Sequence, residues 1–253
     1  MNKFEDLVEI LAALRDPEKG CPWDLKQTPR SLIPNFIEEL YEVVEAIEDG
    51  DDEALQEELG DLLLHIVFQI QIAKEENKFD EADVLEAICS KLVRRHPHVF
   101  GDLSVSDADV VKMNWERIKK QEKHERESVL DGIPRALPAL IQAHRIQEKA
   151  ASVGFDWPDL APVLAKIDEE REELQEVLAD NDPEAIYEEL GDLLFSIVNL
   201  ARKLNIDAEA ALKDANRKFY RRFRHVEDQY QNSDIHEASL DELDRHWETA
   251  KTK

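Results

Sequence analysis

Apolar residues recur along the chain at the three- and four-residue spacing of amphipathic helices. Leu7, Leu11 and Leu14 predict an opening helix. The same spacing predicts further helices, and breaks rich in Asp, Asn, Gly and Pro separate them. In chain order these helices cover residues from 28 or 31 to 47, then 53–76, 84–95, a stretch around Trp115, 137–151, 160–179, 183–203, 207–228 and 240–251. A turn is predicted at 20–24 and a loop at 101–106. We predict an all-α fold.

The helix predicted at 53–76 differs from the others because its middle is apolar on nearly every side. This pattern is typical of a helix at the centre of a bundle. Its longest apolar run, residues 62–72, is interrupted by His65, Gln69 and Gln71. The run is shorter than the roughly 20 residues that span a bilayer, so we predict a soluble protein.

Four acids of the first half recur 131 positions later in the second half. The pairs are Glu39 and Glu170, Glu42 and Glu173, Glu58 and Glu189, and Asp61 and Asp192. The pattern Lys-x-x-Arg-Arg at 91–95 recurs 127 positions later, and Trp115 recurs 132 positions later as Trp247. A constant register across two helices indicates a tandem duplication. We place the boundary in the charged stretch after Trp115, which gives domains 1–125 and 126–253.

The chain carries 58 Asp and Glu residues against 32 Lys and Arg residues, a formal net charge of −26. A nucleic-acid binder needs cationic surface to displace counterions from phosphates, and anionic membranes attract basic segments. We therefore expect neither nucleic acid nor a membrane as a partner. If the substrate is anionic, a divalent cation must neutralise both it and the acids.

Only Cys21 and Cys89 are present, too few for a disulfide framework in a chain of 253 residues. The first residues lack the basic segment and the apolar run of a signal peptide. Both observations favour the reducing cytoplasm.

The repeated acids fall on two helices joined by a short break. Glu170 and Glu173 are three residues apart, as are Glu189 and Asp192, and residues three apart share a helix face. If the helices fold back on each other at 180–183, the carboxylates meet and repel unless a cation lies among them. Acidic helices are usually solvated faces, but these acids adjoin the most apolar helices, where an unpaired carboxylate is costly to bury. We predict a metal site there, and a second one in the first copy at Glu39, Glu42, Glu58 and Asp61.

The ligand types point to Mg²⁺, with Mn²⁺ as an alternative, because hard cations prefer carboxylate, water and phosphate oxygens. Zinc prefers Cys or His, and neither cysteine lies in the motif. A di-iron carboxylate site uses Glu-x-x-His on two helices, whereas here Glu-x-x precedes Glu or Asp.

Lys218, Arg221 and Arg222 form nearly the only cationic cluster in the acidic second half. Such a cluster either pairs with neighbouring acids or binds phosphate beside a metal. Trp247 either stacks on a nucleobase or closes the core, and core packing is the commoner role.

Sequence motifs extend over essentially the whole chain. In the first half they are Cys-Pro-Trp-Asp at 21–24, Glu-Glu-x-x-Glu at 38–42, Glu-x-x-Asp at 58–61 and Arg-Arg-His-Pro-His-Val-Phe at 94–100. In the second half they are Val-Gly-Phe-Asp-Trp at 153–157, Glu-Glu-x-x-Glu at 169–173, Glu-Glu-Leu-Gly-Asp-Leu-Leu-Phe at 188–195 and Lys-Phe-x-Arg-Arg-Phe at 218–223. Together they resemble the MazG family of nucleoside triphosphate pyrophosphohydrolases.

The resemblance implies tandem all-α MazG domains, four-helix-bundle packing in a homodimer, and Mg²⁺-dependent hydrolysis of nucleoside triphosphates to monophosphate and pyrophosphate. It implies metal ligands at Glu170, Glu173, Glu189 and Asp192, and these four with Glu169 form the expected catalytic set. It implies substrate contacts at Lys166, Glu169, Glu188, Lys218, Arg221, Arg222 and Trp247. Glu169 is our candidate for orienting or deprotonating the attacking water.

The two copies are not equivalent. Lys166 has Asn35 as its counterpart, which removes a positive charge, and Asn216 has Cys89. Pro97 shortens the helix that carries the basic residues of the first copy. We expect the second domain to carry the main hydrolytic activity. The alternative function is a catalytically weak helical module that binds a nucleotide or a protein; a purely structural scaffold does not explain why acids and basic residues recur together.

Overall fold

The computed structural model describes residues 3–101, 111, 128–230 and 234–251. The chain divides into two compact units, Met1–His124 and Glu125–Lys253. Every regular element among the described residues is a helix, so the all-α prediction is confirmed. The predicted boundary at 125/126, most of the loop predicted at 101–106 and the helix predicted around Trp115 lie outside the described residues.

The first unit is organised around a helical hairpin. Its described helices are α1 (Lys3–Leu14), α2 (Pro22–Lys26), α3 (Ile33–Asp49), α4 (Asp52–Glu75), α5 (Glu81–Arg95) and α6 (Pro97–Phe100). Helices α3 and α4 form the hairpin, and α1 packs against α4. The short helix α2 stands where the sequence predicts a turn. Pro22 opens it, and proline lacks an N–H that would be left unpaired in the first turn.

The second unit repeats this arrangement. Its described helices are α7 (Ala139–Ala151), α8 (Leu160–Asp180), α9 (Pro183–Lys203), α10 (Ala208–Glu227) and α11 (Leu240–Lys251), with 3₁₀ turns at Asp228–Tyr230 and Ile235–Glu237. Helices α8 and α9 form the hairpin, and α7 packs against α9 as α1 packs against α4. Helix α10 contacts α7 and α9, and α11 packs on α10.

Apolar side chains from three segments form the core of the first unit. They are Leu11 of α1, Leu32 at the start of α3, and Val67, Phe68 and Ile72 of α4. The predicted apolar centre of α4 supplies most of them, as expected for a helix surrounded by others.

The hairpin turn has the same geometry in both units. Gly50 (φ +68°) and Asn181 (φ +56°) adopt the left-handed conformation, which Gly and Asn tolerate best. The residues that follow, Asp51 and Asp182, accept hydrogen bonds from the first backbone N–H groups of α4 and α9. Each pair is separated by 131 positions, so the duplication preserves the turn as well as the acids.

Each hairpin leaves a row of apolar side chains exposed, which we call the exposed seam. The rows are Leu59, Leu63 and Ile66 on α4, and Leu190, Leu194 and Ile197 on α9. Spacings of four and three residues put each row on one helix face, and the two rows are again 131 positions apart. None of the described helices is both long and apolar enough to cross a membrane.

Replacing Asp182 by Ala is expected to destabilise the second unit by about 1 kcal/mol, because the first N–H groups of α9 lose their acceptor. Thermal unfolding followed by circular dichroism measures the change. Asp180→Ala is the matched control, since it removes a carboxylate from the end of α8 without removing a cap. An equal loss in both variants would show that charge, and not capping, explains the effect.

Candidate functional site

Helices α8 and α9 bring three carboxylates together. One oxygen each from Glu170, Glu173 and Glu189 lies within 4.8 Å of the other two. Glu170 and Glu173 are one turn apart on α8, and the left-handed turn at Asn181 returns the chain so that α9 brings Glu189 to them. We call these three side chains the carboxylate cluster.

Asp192, the fourth predicted ligand, stands outside the cluster of three. It lines the same cavity as Glu170, and its negative charge acts on Glu189. The hairpin therefore gathers three of the predicted acids and places the fourth at their edge.

Glu170 is the most deeply buried acid of the site, with 5% of its surface exposed. Lys166 Nζ lies 2.8 Å from Glu170 Oε1 and 2.8 Å from Glu169 Oε1. The hydrogen bonds to Glu169 and Glu170 raise the pKa of Lys166, which keeps its ammonium group charged. A buried carboxylate needs such a partner. Glu169 is exposed to solvent and contacts the site through this lysine.

Like charges crowd the remaining acids. Partial burial raises the pKa of the Glu189 carboxyl, and the negative charges of Glu173 and Glu170 raise it further. Glu188, the exposed residue directly before Glu189, raises the pKa of Glu189 by a smaller amount. A site that is electrostatically unfavourable alone and is relieved by a cation, with only oxygen ligands, fits a hard divalent metal ion.

A cavity of about 840 Å³ opens beside the carboxylate cluster. Lys166, Glu170 and Asp192 contribute charged groups to its lining, and the remaining walls come mainly from apolar residues of α7, α9 and the loop between α7 and α8. This volume lies in the usual range of small-molecule sites.

Ion pairs hold the loop between α7 and α8 against α9. Arg202 Nη2 lies 2.6 Å from Asp156 Oδ1, and Lys203 Nζ donates a 2.6 Å hydrogen bond to the backbone oxygen of Trp157. The hydrogen bond from Arg202 lowers the pKa of Asp156. The loop thereby presents Trp157 and Phe155 at the cavity, and Phe155 is 82% exposed.

Two buried amides in the cavity lining, Gln147 of α7 and Asn199 of α9, are absent from the predicted site residues. The sequence contains only a weak indication that either residue belongs to the site. Asn199 interrupts an apolar run on α9, much as His65 interrupts the apolar run of α4, and Gln147 follows an apolar residue on α7.

The predicted phosphate-binding residues Lys218, Arg221 and Arg222 lie on α10 and do not line the cavity. Within the part of the chain that the structure describes, no carboxylate pairs with any of the three. Trp247 of α11 packs against the ring of Phe219, with the ring centroids 4.9 Å apart. Of the two roles open to Trp247, the observed contact is a packing contact.

The first unit contains a related group of acids. Oxygens of Glu39, Glu58 and Asp61 lie within 4.8 Å of one another, while Glu42 stands outside this group and its negative charge acts on Glu39. Burial raises the pKa of Glu39 and of Glu58, and the neighbouring acids raise both further. These acids also fit a divalent cation.

A histidine distinguishes the first unit from the second. His65 is buried, its Nε2 lies 3.6 Å from Glu39 Oε1, and its Nδ1 has no partner. Burial lowers the pKa of His65, which favours the neutral ring at pH 7. The residue 131 positions later is Ser196. Asn35 stands where the second unit has Lys166, so the first unit lacks the cation that neutralises Glu170.

The MazG nucleotide pyrophosphohydrolase domain matches residues 27–100 and 160–227 of the chain. The chain belongs to the MazG family. The two matched stretches contain both groups of acids, and the double match confirms the tandem duplication. Trp247 lies beyond the second MazG stretch.

Several MazG relatives match most of the chain. A Thermotoga maritima protein named nucleoside triphosphate pyrophosphohydrolase/pyrophosphatase MazG is 49% identical over 251 residues, covering 98% of this chain and 95% of that protein. An Escherichia coli K12 protein named nucleoside triphosphate pyrophosphohydrolase is 50% identical over 231 residues, covering 90% of this chain and 88% of that protein. The uncharacterized protein YabN of Bacillus subtilis is 43% identical over 99% of this chain and 52% of its own length.

Replacing Glu189 by Gln is expected to raise the melting temperature of the metal-free protein at pH 8, because it removes one negative charge from the carboxylate cluster. As the pH falls through the raised pKa of Glu189, the wild-type carboxyl takes up a proton and loses its charge. The gain in melting temperature from Glu189→Gln should therefore shrink as the pH falls. Scanning calorimetry in EDTA between pH 8 and pH 5 measures the difference.

Glu176→Gln, at an exposed position of α8, is the matched control for this experiment. Its effect should not follow the titration of Glu189. A stability difference for Glu189→Gln that grew on acidification would contradict the electrostatic explanation.

Proposed function

We propose that this protein hydrolyses nucleoside triphosphates to nucleoside monophosphates and pyrophosphate. The observation that carries the proposal is the carboxylate cluster beside a cavity in a chain of the MazG family. The names of the Thermotoga maritima and Escherichia coli relatives support it. In the proposed reaction, water attacks the α-phosphorus, the bond from that phosphorus to the bridging oxygen breaks, and pyrophosphate leaves.

We propose Mg²⁺ as the metal, with Mn²⁺ as a substitute, because every candidate ligand is a carboxylate oxygen. Glu170, Glu173, Glu189 and Asp192 would hold it. When bound, it supplies positive charge to the triphosphate oxygens and lowers the pKa of a water molecule.

Lys166 has a role in the proposed site both without a metal ion and with one bound. In the structure it neutralises the buried Glu170. A cation held by Glu170 would take the place of Lys166 at that carboxylate, and the lysine ammonium would then be free to bind a phosphate oxygen. Glu169, which is exposed and already bonded to Lys166, is then placed to orient or deprotonate the attacking water. Glu188 remains a predicted substrate contact beside Glu189.

The basic residues of α10 are proposed to stabilise the charge that grows on the departing pyrophosphate. Lys218, Arg221 and Arg222 have no carboxylate partner among the described residues, which leaves them available to phosphate. Helix α10 packs against α7 and α9, two helices that line the cavity. Trp247 is only half-buried against Phe219, and stacking of a nucleobase on its open side stays a prediction.

We propose that the second unit performs most of the hydrolysis. The first unit keeps the acids for a second metal site, at Glu39, Glu42, Glu58 and Asp61. It has Asn35 in place of Lys166 and Cys89 in place of Asn216, so it lacks one charge and one amide of the second unit.

The exposed seams support a homodimer. Each is a row of exposed apolar side chains on one helix of a hairpin, and such a row is buried when two hairpins pack into a four-helix bundle. Exposed apolar faces of this kind commonly mark protein contacts. We propose that a second copy of the chain covers them.

Charge and cysteine usage support the remaining assignments. A net charge of −26 opposes binding to nucleic acid or to anionic membranes. Cys21 and Cys89 are both free, as expected in a reducing compartment. We propose a cytoplasmic protein whose partners are nucleoside triphosphates.

Glu173→Ala is expected to reduce pyrophosphate release by at least about 100-fold, because it removes a metal ligand. Glu42→Ala, the same change 131 positions earlier, should keep most of the turnover. Incubation with each of the eight common triphosphates and Mg²⁺, with pyrophosphate and monophosphate quantified, measures both, and EDTA should abolish release by the wild type.

The rival function is a catalytically weak helical module that binds a nucleotide or a protein. Absence of pyrophosphate release from all eight triphosphates would favour it. Intact turnover in Glu173→Ala combined with loss in Glu42→Ala would instead show that the first unit is the catalytic one.

Leu194→Asp is expected to convert the proposed dimer into a monomer, because it puts a charge into the middle of the exposed seam of α9. Sedimentation velocity gives the oligomeric state. Leu240→Asp is the control, since Leu240 is also exposed but lies on α11, away from the seam. A dimer that survives Leu194→Asp would place the contact elsewhere.

A further inference from the structure

Gln147 is a buried amide with one unsatisfied atom. It is 7% exposed, and its Nε2 donates a 2.8 Å hydrogen bond to the backbone oxygen of Phe195. Because a carbonyl oxygen only accepts, this bond fixes which end of the amide is the nitrogen. The other end, Oε1, has no partner. A buried acceptor without a donor is unfavourable and needs a specific explanation.

This amide belongs to the cavity beside the carboxylate cluster. Gln147 lines that cavity together with Lys166, Glu170 and Asp192. The surrounding lining is mainly apolar. Apolar walls with a few polar groups, next to charged side chains, suit a flat heterocycle that is attached to phosphates.

Asn199 is a second buried amide in the same lining. Its Oδ1 accepts two hydrogen bonds from Arg202, at 3.0 Å from Nε and 2.8 Å from Nη2. Arg202 is held in turn by its ion pair with Asp156. The Oδ1 atom is therefore occupied, and the Nδ2 group is the end of Asn199 left to donate.

The first unit has an apolar residue at the position that corresponds to Asn199. The residue 131 positions before Asn199 is Phe68, which is 3% exposed and lies in the core of that unit. Replacing a packed ring by an amide removes apolar contacts, which by itself is destabilising. The exchange is explained if the second unit uses the amide to bind something that the first unit does not.

We propose that Gln147 and Asn199 bind the nucleobase of the triphosphate, and that Gln147 Oε1 accepts a hydrogen bond from an exocyclic amino group of that base. The inference rests on the proposed hydrolase function and adds base selection to it. Adenine, cytosine and guanine carry such an amino group. Gln147 lines the cavity and its Oε1 is itself buried, so an amino group that projects beyond the ring suits this oxygen better than a ring N–H does. Asn199 Nδ2 donates to the acceptor beside the amino group.

Matched substrate pairs test the inference without altering the protein. The pairs are ATP and purine riboside triphosphate, CTP and 2-pyrimidinone riboside triphosphate, and GTP and ITP, and each second member lacks only the amino group. For at least one pair, kcat/KM of the wild type should fall by at least about tenfold without the amino group, because Oε1 is left unpaired. Ratios near one in all three pairs would overturn the inference.

Gln147→Met keeps the length of the side chain and removes the acceptor. It should bring the ratio for that pair to within about threefold, through loss of kcat/KM on the amino-bearing substrate. Gln142→Met, the same change on α7 at a position that does not line the cavity, should keep the wild-type ratio.

Gln147→Met also removes the bond to Phe195, so the melting temperatures of both variants are compared first. A ratio preserved in folded Gln147→Met protein would overturn the inference, and if that variant does not fold, the substrate pairs decide alone.

The outcomes separate this inference from the function on which it rests. Absence of pyrophosphate release from every triphosphate would overturn the proposed function and this inference with it. Hydrolysis of both members of every pair at equal efficiency would leave the hydrolase function standing and overturn base selection by Gln147. Stacking on Trp247 would then be the remaining explanation for base binding.

Discussion

Mutual repulsion among Glu170, Glu173 and Glu189 is the constraint on which the second unit depends. Apart from one another these would be ordinary solvated acids, but within 4.8 Å they require a compensating positive charge. The left-handed turn at Asn181 enforces their meeting by returning α9 along α8. Lys166 supplies part of the compensation in the structure. The hairpin therefore holds acids at positions where a nearby positive charge lowers their mutual repulsion.

Helix α9 serves two surfaces at once. Glu189 belongs to the carboxylate cluster, and the next residue, Leu190, belongs to the exposed seam. A contact that covers the seam restricts the motion of the helix that carries the acids. In the proposed dimer, dimer formation and the geometry of the metal ligands are therefore coupled through helix α9.

The helices and the convergence of the acids could be predicted from local sequence patterns, whereas the cavity could not. Helix α9 has the predicted bounds, because Asp182 and Pro183 mark its start and the apolar spacing continues to Lys203. Helix α2 escapes prediction because five residues carry too little periodicity. Gln147 and Asn199 escape it because each is an ordinary polar helix residue until α7 and α9 pack. Only then does the bond to Phe195 show that an oxygen is unsatisfied.

The exchange between Phe68 and Asn199 divides the two copies into parts with different tolerance to change. A smaller side chain at Phe68 would leave a cavity in the packed core and lower the stability of the first unit. Asn199 is also buried, but it lines a cavity and accepts hydrogen bonds from Arg202, so a substitution there changes the cavity wall as well as the packing. The same position therefore serves the core in the first unit and the cavity wall in the second. Duplication allows one position to take a different role in each copy of the fold.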